Sequence, residues 1–364
     1  MAGILREEKF LILAVIVAIA AFVTEHAILE MGRLGAIVGA VVLIATIVLA
    51  SMRVAHHAEI LAAKVGDPYG TMILTLSAVA VEVIILAILM NGAESSPTLV
   101  RDTIYSAVML DINGILGLAA LLGGLKHGEQ PYNDDSGKTY GVMILTAMGI
   151  SMIVPEFIPD AKWHYYSAFT IFAMIALYAL FLRMQVGQHS YFFSYSYPRT
   201  EKKLHGAEED HEDNSTATSI GTIVVGVVII GVLAEFMSTF MTTGLKDSGA
   251  PPAVAAIVVA AISAAPEILT ALRAALRNRM QATVNIAMGA SLSTVILTVP
   301  VMEAIALYTG QPFVMAMSPV QTVMILITLI AAAINLNDGE TNAIEGMTHF
   351  ILFATFIMLT ALGL

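Results

Sequence analysis

Apolar runs of about twenty residues recur along this chain, and two of them hold a glutamate near the middle. A run of that length is what a helix needs to cross the hydrocarbon core of a bilayer. Within a bilayer, only helices and closed barrels satisfy every backbone polar group. Glu82 lies in GTMILTLSAVAVEVIILAILM (70–90), and Glu267 lies in AVAAIVVAAISAAPEILTAL (253–272). A carboxylate at that depth is costly, so it faces a bundle interior, a partner or an ion path. The two local frames are alike: Ser77-Ala-Val-Ala-Val-Glu82 against Ser263-Ala-Ala-Pro-Glu267. Such a pair, one in each half, points to a duplicated transporter with its ion site where the repeats meet.

The apolar runs set the expected architecture. Spans are predicted at 10–29, 34–55, 70–92, 103–125, 140–159, 165–185, 219–242, 251–274, 281–306, 314–335 and 345–363. The fold class is therefore all-α and polytopic, with about eleven transmembrane helices. Of the 364 residues, 12% are charged, about half the share of a soluble domain, and no polar stretch is long enough for a second folded domain. The N-terminal run follows Arg6, Glu7, Glu8 and Lys9, a mixed-charge start unlike a signal peptide, so it is predicted to be a retained span. The chain has no cysteine, which excludes disulfides and thiol chemistry.

Basic residues orient these spans, because Lys and Arg stay on the cytoplasmic side. Of the 17 basic residues, thirteen fall with the N-terminus and the loops after even-numbered spans, and four fall on the other side. The N-terminus is thus predicted in the cytoplasm and the C-terminus outside. Glu82 and Glu267 lie five spans apart, so their helices cross in opposite directions. The expected organisation is an extra N-terminal helix (1–33), a five-helix repeat (34–185), a cytoplasmic acidic linker (186–218) and a second, inverted five-helix repeat (219–364). Inverted halves that exchange conformations give alternating access.

Other polar residues join the two glutamates as candidates. Pro266 removes a backbone donor and frees carbonyls beside Glu267, and freed carbonyls at membrane depth can coordinate a cation. Ser263 starts that frame. Asp111 and Asn113 lie in the fourth span, and Asn285 and Ser291 in the ninth. Hard cations take carboxylate, amide, hydroxyl and carbonyl oxygens, although serine and asparagine equally serve as bonds between helices. Glu235, in the seventh span, and Glu59, after His56-His57, are candidates for an ion path. The linker ends in Glu208, Glu209, Asp210, Glu212 and Asp213, which either solvate it or attract and sense cations. Its aromatics, Tyr191 to Tyr197, suit the headgroup region. No Walker loop, Gly-x-Ser-x-Gly elbow or HExxH zinc motif occurs, so neither ATP-driven pumping nor hydrolysis has the residues it needs.

These residues resemble the calcium/cation–proton exchangers (the CAX family), in particular the bacterial ChaA-like branch of the sodium/calcium exchanger superfamily. The resemblance covers nearly the whole chain. It rests on His56-His-Ala-Glu-Ile-Leu-Ala-Ala-Lys-Val-Gly-Asp-Pro-Tyr-Gly70, the Glu82 helix, Arg101-Asp-Thr103 and Gly123-Gly-Leu-Lys126. In the second half it rests on Ala265-Pro-Glu267, Asn285, Gly289 and Thr298-Val-Pro300. It implies one cation-binding glutamate per repeat, exchanging cation for protons, and maps that role onto Glu82 and Glu267. It extends the ligand set to Asn113, Asn285 and Ser291, and gives Glu208 to Asp213 a calcium-sensing or ion-guiding part.

The function expected from the sequence is Ca²⁺/H⁺ antiport across the bacterial inner (plasma) membrane, with inorganic cations and lipid as partners. No cofactor, enzymatic activity or nucleic acid is expected. Two ionised glutamates in an empty site are costly to carry through a dry state, and one Ca²⁺, two monovalent cations or two protons each neutralise them. The same balance admits a Na⁺(K⁺)/H⁺ antiporter. A cation channel, which needs no proton coupling, is the alternative of another class.

Overall fold

The fold is described from a computed structural model over residues 8–65, 69–91, 96–186, 190–195, 216–246, 248–251, 253–311 and 313–364. Every apolar run becomes helical. The helices are α1 (Lys9–Glu30), α2 (Gly32–Val65), α3 (Tyr69–Met90), α4 (Leu99–His127), α5 (Asp134–Phe157) and α6 (Trp163–Val186). They continue with α7 (Thr216–Leu245), α8 (Ala253–Ser263), α9 (Ala265–Leu276), α10 (Met280–Thr309), α11 (Pro319–Asn335) and α12 (Ala343–Ala361). Among the described residues, nine of these are long and apolar enough to cross a bilayer. The count is ten if α8 and α9 are one broken span, bent by 57°. The remaining run, α11, is apolar but only 17 residues long, short of the ~20 that span hydrocarbon unaided. The chain is thus an all-helical, multi-pass membrane protein whose full crossings number nine or ten by length, against the eleven expected.

Local chemistry fixes where the helices begin. The Asn133 side chain accepts from the Asp135 amide at 3.1 Å, and Asn342 accepts from the amides of Ile344 and Glu345 at 2.9 and 3.2 Å. At α11 the Ser318 hydroxyl accepts from the Gln321 amide, and Gln321 Oε1 accepts from the Ser318 amide. This reciprocal box satisfies two of the donors a helix start leaves open. Pro319 occupies the first turn beside it, where its missing N–H costs nothing. The break between α8 and α9 falls just before Pro266, at the place where proline cannot continue a helix.

Three stretches are wound more loosely than an α-helix, with i→i+5 bonding: Leu110–Leu116 in α4, Gly149–Ile153 in α5 and Thr294–Thr298 in α10. Such π-bulges turn side chains out of the regular 3.6-residue progression and collect at functional sites. Two of the three contain residues of the site described below.

The packing is that of a membrane bundle. α2 and α7 lie along each other in opposite directions. Gly39 meets Phe240, Ile37 meets Gly244 and Val54 meets Gly226, so one number rises as the other falls. α4 and α12 are also antiparallel, with Gly117 against His349 and Phe350, and Gly124 against Ala343. Small residues let these backbones approach, as lipid-embedded helices require. Large apolar side chains instead face outward, among them Phe22, Leu34, Phe172 and Val228, which suits hydrocarbon rather than water. A two-residue antiparallel pairing of Gln130–Pro131 with Glu340–Thr341 ties the α4–α5 loop to the α11–α12 loop.

Candidate functional site

Three carboxyls lie within electrostatic reach of one another inside the bundle. Glu82, on α3, is 3% exposed. Its Oε2 accepts hydrogen bonds from the hydroxyls of Thr294 and Thr298, at 3.1 and 2.9 Å. Both threonines lie on the π-wound turn of α10. Asp111 lies on the π-wound turn of α4, and its Oδ2 accepts from the Ser291 hydroxyl at 3.1 Å. Glu267 sits in the first turn of α9, just past the 57° break. There the unpaired N–H groups and the helix dipole favour negative charge. Asp111 is within electrostatic reach of both Glu267 and Glu82, and Glu267 is within reach of Glu82. Each carboxyl keeps one buried oxygen with no hydrogen-bond partner among the described residues: Glu82 Oε1, Asp111 Oδ1 and Glu267 Oε2. Buried polar atoms are normally paired, so three such oxygens in one neighbourhood indicate a place for a ligand.

A cavity of about 480 Å³ reaches Glu267. Glu59, Ser77, Tyr140, Ser263, Glu267 and Asn285 are on its wall. It therefore gathers Ser263, Glu267 and Asn285 as the sequence grouped them, and it places Glu59 near its rim. Glu59 is exposed there, with its carboxylate 4.0 Å from His56. Asn285 is held by its neighbours: its side-chain amide donates to the Phe193 carbonyl at 2.8 Å, and its oxygen accepts from Gln281 at 2.9 Å. The short turn Ser190–Phe193 thus leans on the cavity, with the Phe193 ring 5.4 Å from Tyr140 and 5.6 Å from Phe181. Within this turn Phe193 packs inward against the core, whereas Tyr191 is exposed.

Other candidates sit elsewhere. Ser291 is buried and bonded to Asp111, away from the cavity wall. Asn113 belongs to a separate group, donating to Thr328 Oγ1 at 2.7 Å while its oxygen meets His349 Nδ1 at 2.8 Å. Glu235 is exposed on α7, on the helix face that carries Val228 and Val232. Glu208, Glu209, Asp210, Glu212 and Asp213 lie outside the described residues. Among the described residues, no three His, Cys, Asp or Glu side chains converge with the geometry of a metal centre. The three carboxylates are neighbours but do not form a closed cage.

The sequence reading did not single out Thr294 and Thr298 as partners of Glu82. Their signal was a pair of hydroxyls four residues apart in an apolar helix, the spacing that puts two side chains on one face. Glu303 was missed altogether, although it stands in VPVMEAIAL with the same acid-in-apolar signature as Glu82.

Comparison with known proteins places the chain among its relatives. The family model for the sodium/calcium exchanger protein matches residues 35–187 and 218–362. The chain is 33% identical to the sodium-potassium/proton antiporter ChaA of Escherichia coli (strain K12) over 317 residues, covering 86% of each chain. It is 24% identical to the Ca²⁺/H⁺ antiporter ChaA of Bacillus subtilis (strain 168) over 323 residues, covering 86% of this chain and 88% of that one. The solved structure of native YfkE superposes with a TM-score of 0.76 at 18% identity, covering 97% of this chain and 99% of that one. The two matched segments together cover well over half of the chain and show that it belongs to the sodium/calcium exchanger protein family.

Proposed function

We propose that this chain is a cation/proton antiporter that exchanges Ca²⁺ for H⁺ through Glu82 and Glu267, with Asp111 as a third carboxylate of the same site. One observation carries the reading. Three carboxyls lie within electrostatic reach of one another, each with a buried oxygen that has no partner among the described residues, and one of them opens onto a cavity. Apposed like charges in a low-dielectric setting repel strongly, so the empty ionised site is unfavourable. A divalent cation relieves that repulsion from the centre, and protons relieve it one carboxyl at a time.

The mechanism follows from what each residue does. Thr294 and Thr298 donate to Glu82 Oε2 and leave Oε1 to face the cargo. Glu267 presents its carboxyl at a helix start beside the α8–α9 break, where a change in the 57° bend moves it toward or away from Glu82 and Asp111. Ca²⁺ takes six to eight oxygens, so hydroxyls and the carbonyls freed at the break complete its shell as the bend closes. A neutralised site then turns toward the other face, where protons displace the cation. The two halves, 34–185 and 219–364, act as inverted repeats in this scheme, with 1–33 as an added helix and 186–218 as the linker. The antiparallel course of α2 and α7, the first helices of the two halves, supports that arrangement. The N-terminus lies in the cytoplasm and the C-terminus outside, in a bacterial plasma membrane, as the basic residues indicate.

A second reading takes Na⁺ or K⁺ as the cargo. It is favoured by the higher identity to a sodium-potassium/proton antiporter, 33% against 24% for a Ca²⁺/H⁺ antiporter. Reconstituted vesicles with an imposed pH gradient, offered Ca²⁺, Na⁺ and K⁺ in turn, separate the two. Ca²⁺-dependent proton movement supports the first reading, and movement with Na⁺ or K⁺ alone supports the second. Cation flux that persists with no proton movement contradicts both and indicates a channel.

A further inference from the structure

A second cavity, of about 320 Å³, holds another buried acid. Its wall is made by Pro155 and Ile158 from the end of α5, Trp163 and Ser167 from the start of α6, Phe313 from the α10–α11 loop, and Glu303 from α10. Glu303 is 2% exposed. Its Oε1 accepts from the Ser167 hydroxyl at 3.2 Å, and its Oε2 has no partner among the described residues.

The two cavities lie at opposite ends of the same helices. On α10, the Glu267 cavity touches Asn285 through Ile296, and the second cavity touches Glu303. On α6, the first touches Tyr178 through Gln185, and the second touches Trp163 through Ser167. Glu82 is bonded at the inner end of the first cavity's stretch and just beyond it, at Thr294 and Thr298. Glu303 follows Thr298 by five positions, about 7.5 Å along the helix. One helix thus carries, in order, the first cavity, the Glu82 contact and the second cavity.

A purely structural acid in this region has different surroundings. Asp102 accepts from Thr98 Oγ1 at 2.8 Å, from Arg101 Nε at 2.9 Å and from Gln321 Nε2 at 2.9 Å. Arg101 is also committed to the carbonyl of Ala316, a residue of the cavity wall. The Tyr166 hydroxyl, also within electrostatic reach of Glu303, donates to the Ile150 carbonyl. Among the described residues, Glu303 therefore has one hydroxyl donor, no ion pair and a mostly apolar wall. Ca²⁺ takes six to eight oxygens, more than the side chains of Glu303, Ser167 and Tyr166 on this wall supply. A proton needs one.

We infer that Glu303, supported by Ser167, is a proton-accepting site that serves the face of the membrane opposite the Glu267 cavity. It rests on the antiporter reading only for its use in transport. Protons entering from that face pause on Glu303 before reaching Glu82, so the outer and inner steps of exchange have separate acids.

The test uses full-length protein in oriented vesicles. Orientation is set by labelling single cysteines at Ser194, on the first cavity, and at Tyr308, at the far end of α10, in a chain that has no cysteine of its own. pH is then varied on one face at a time for wild type, Glu303→Gln and Glu303→Asp. Glu303→Gln is expected to slow exchange by about a hundredfold when protons are supplied from the Glu303 face, the low end of what proton-transfer groups contribute. It is expected to flatten the pH dependence on that face and to leave the dependence on the other face intact, while Glu303→Asp retains both. Equal change on both faces, or none, overturns the inference. A second readout does not need transport. pH-difference infrared spectra of cation-saturated protein should contain a titrating carboxyl band that disappears in Glu303→Gln, and a band that persists overturns the assignment. Wild-type protein that moves cation without protons overturns the antiporter reading instead, and the infrared result still decides Glu303.

Discussion

Replacing Thr298 with valine removes one of the two hydroxyls that hold Glu82 and keeps the side-chain shape. Thr298 is fully buried, and its hydroxyl lies 2.9 Å from Glu82 Oε2, the shorter of the two contacts. A hydrogen bond to a charged acceptor contributes about 1.5–3 kcal/mol, and one between neutral groups about 0.5–1.5 kcal/mol. The cation is held by ionised Glu82, whereas its competitor, the proton, leaves Glu82 neutral. The substitution therefore weakens the cation-bound form relative to the protonated form by the difference, roughly 1–1.5 kcal/mol. That corresponds to a fivefold to tenfold loss of apparent cation affinity at about 1.4 kcal/mol per decade. Thr294→Val, at the longer 3.1 Å contact, should cost less, and the double variant should not be a simple sum, because the two hydroxyls share one oxygen. The assay is the cation concentration giving half-maximal exchange at fixed pH in vesicles, with thermal unfolding as the folding control. Unchanged or tighter apparent affinity in a normally folded Thr298→Val protein refutes the assignment of Oε2 as the anchored oxygen and Oε1 as the cargo-facing one.

Three further outcomes follow from packing and charge. Gly346→Ala should destabilise the protein by at least about 1–3 kcal/mol, the usual cost of overpacking, because the new Cβ would collide with the Leu121 amide nitrogen, in backbone that cannot yield; an unchanged melting temperature in detergent contradicts the α4–α12 contact. Burial disfavours the ionised form of Glu8, but hydrogen bonds from Arg53 and His57 outweigh it and hold its carboxyl below the ordinary value of 4.5. Its contribution to stability is accordingly full above that value and lost as pH falls through the lowered one, so Glu8→Gln should lower the melting temperature at pH 7 and approach wild type in acid, and a gap that widens in acid contradicts the pairing. Phe193→Ala removes a ring packed on Tyr140 and Phe181 beside the cavity, and should raise the labelling rate of a cysteine placed at Ser263 by several-fold without changing cation selectivity; equal rates contradict a covering role for the turn.

The sequence carried much of this because transmembrane helices announce themselves by length and apolarity. All eleven runs became helices, and the proline before Glu267 marked the break between α8 and α9. Glu82, Glu267, Ser263 and Asn285 were legible for a simple reason: polar groups are conspicuous against hydrocarbon. The contacts between halves were less so. Asp111 joined the two glutamates because a π-wound turn in α4 re-aims it, and no residue pattern advertises that winding. Asn113, two residues on, is bonded to Thr328 and His349 instead. Thr294 and Thr298 reach Glu82 across more than two hundred residues of chain, a partnership decided by tertiary packing. The outward placement of Glu235 was hidden for the opposite reason, since a single acid in an apolar run does not say which face of its helix meets lipid.

The central claim is that Glu82 and Glu267 each bind cation when ionised and proton when neutral. Proton movement driven by cation, measured in vesicles of wild-type, Glu82→Gln and Glu267→Gln protein inserted to equal levels, tests it directly. Glutamine keeps the shape and fixes the neutral state, so both variants should lose coupled exchange while retaining the fold, and wild-type cation affinity should rise with pH as protons cease to compete. Near wild-type exchange in either variant would show that its glutamate is structural and that the paired-carboxylate account is wrong.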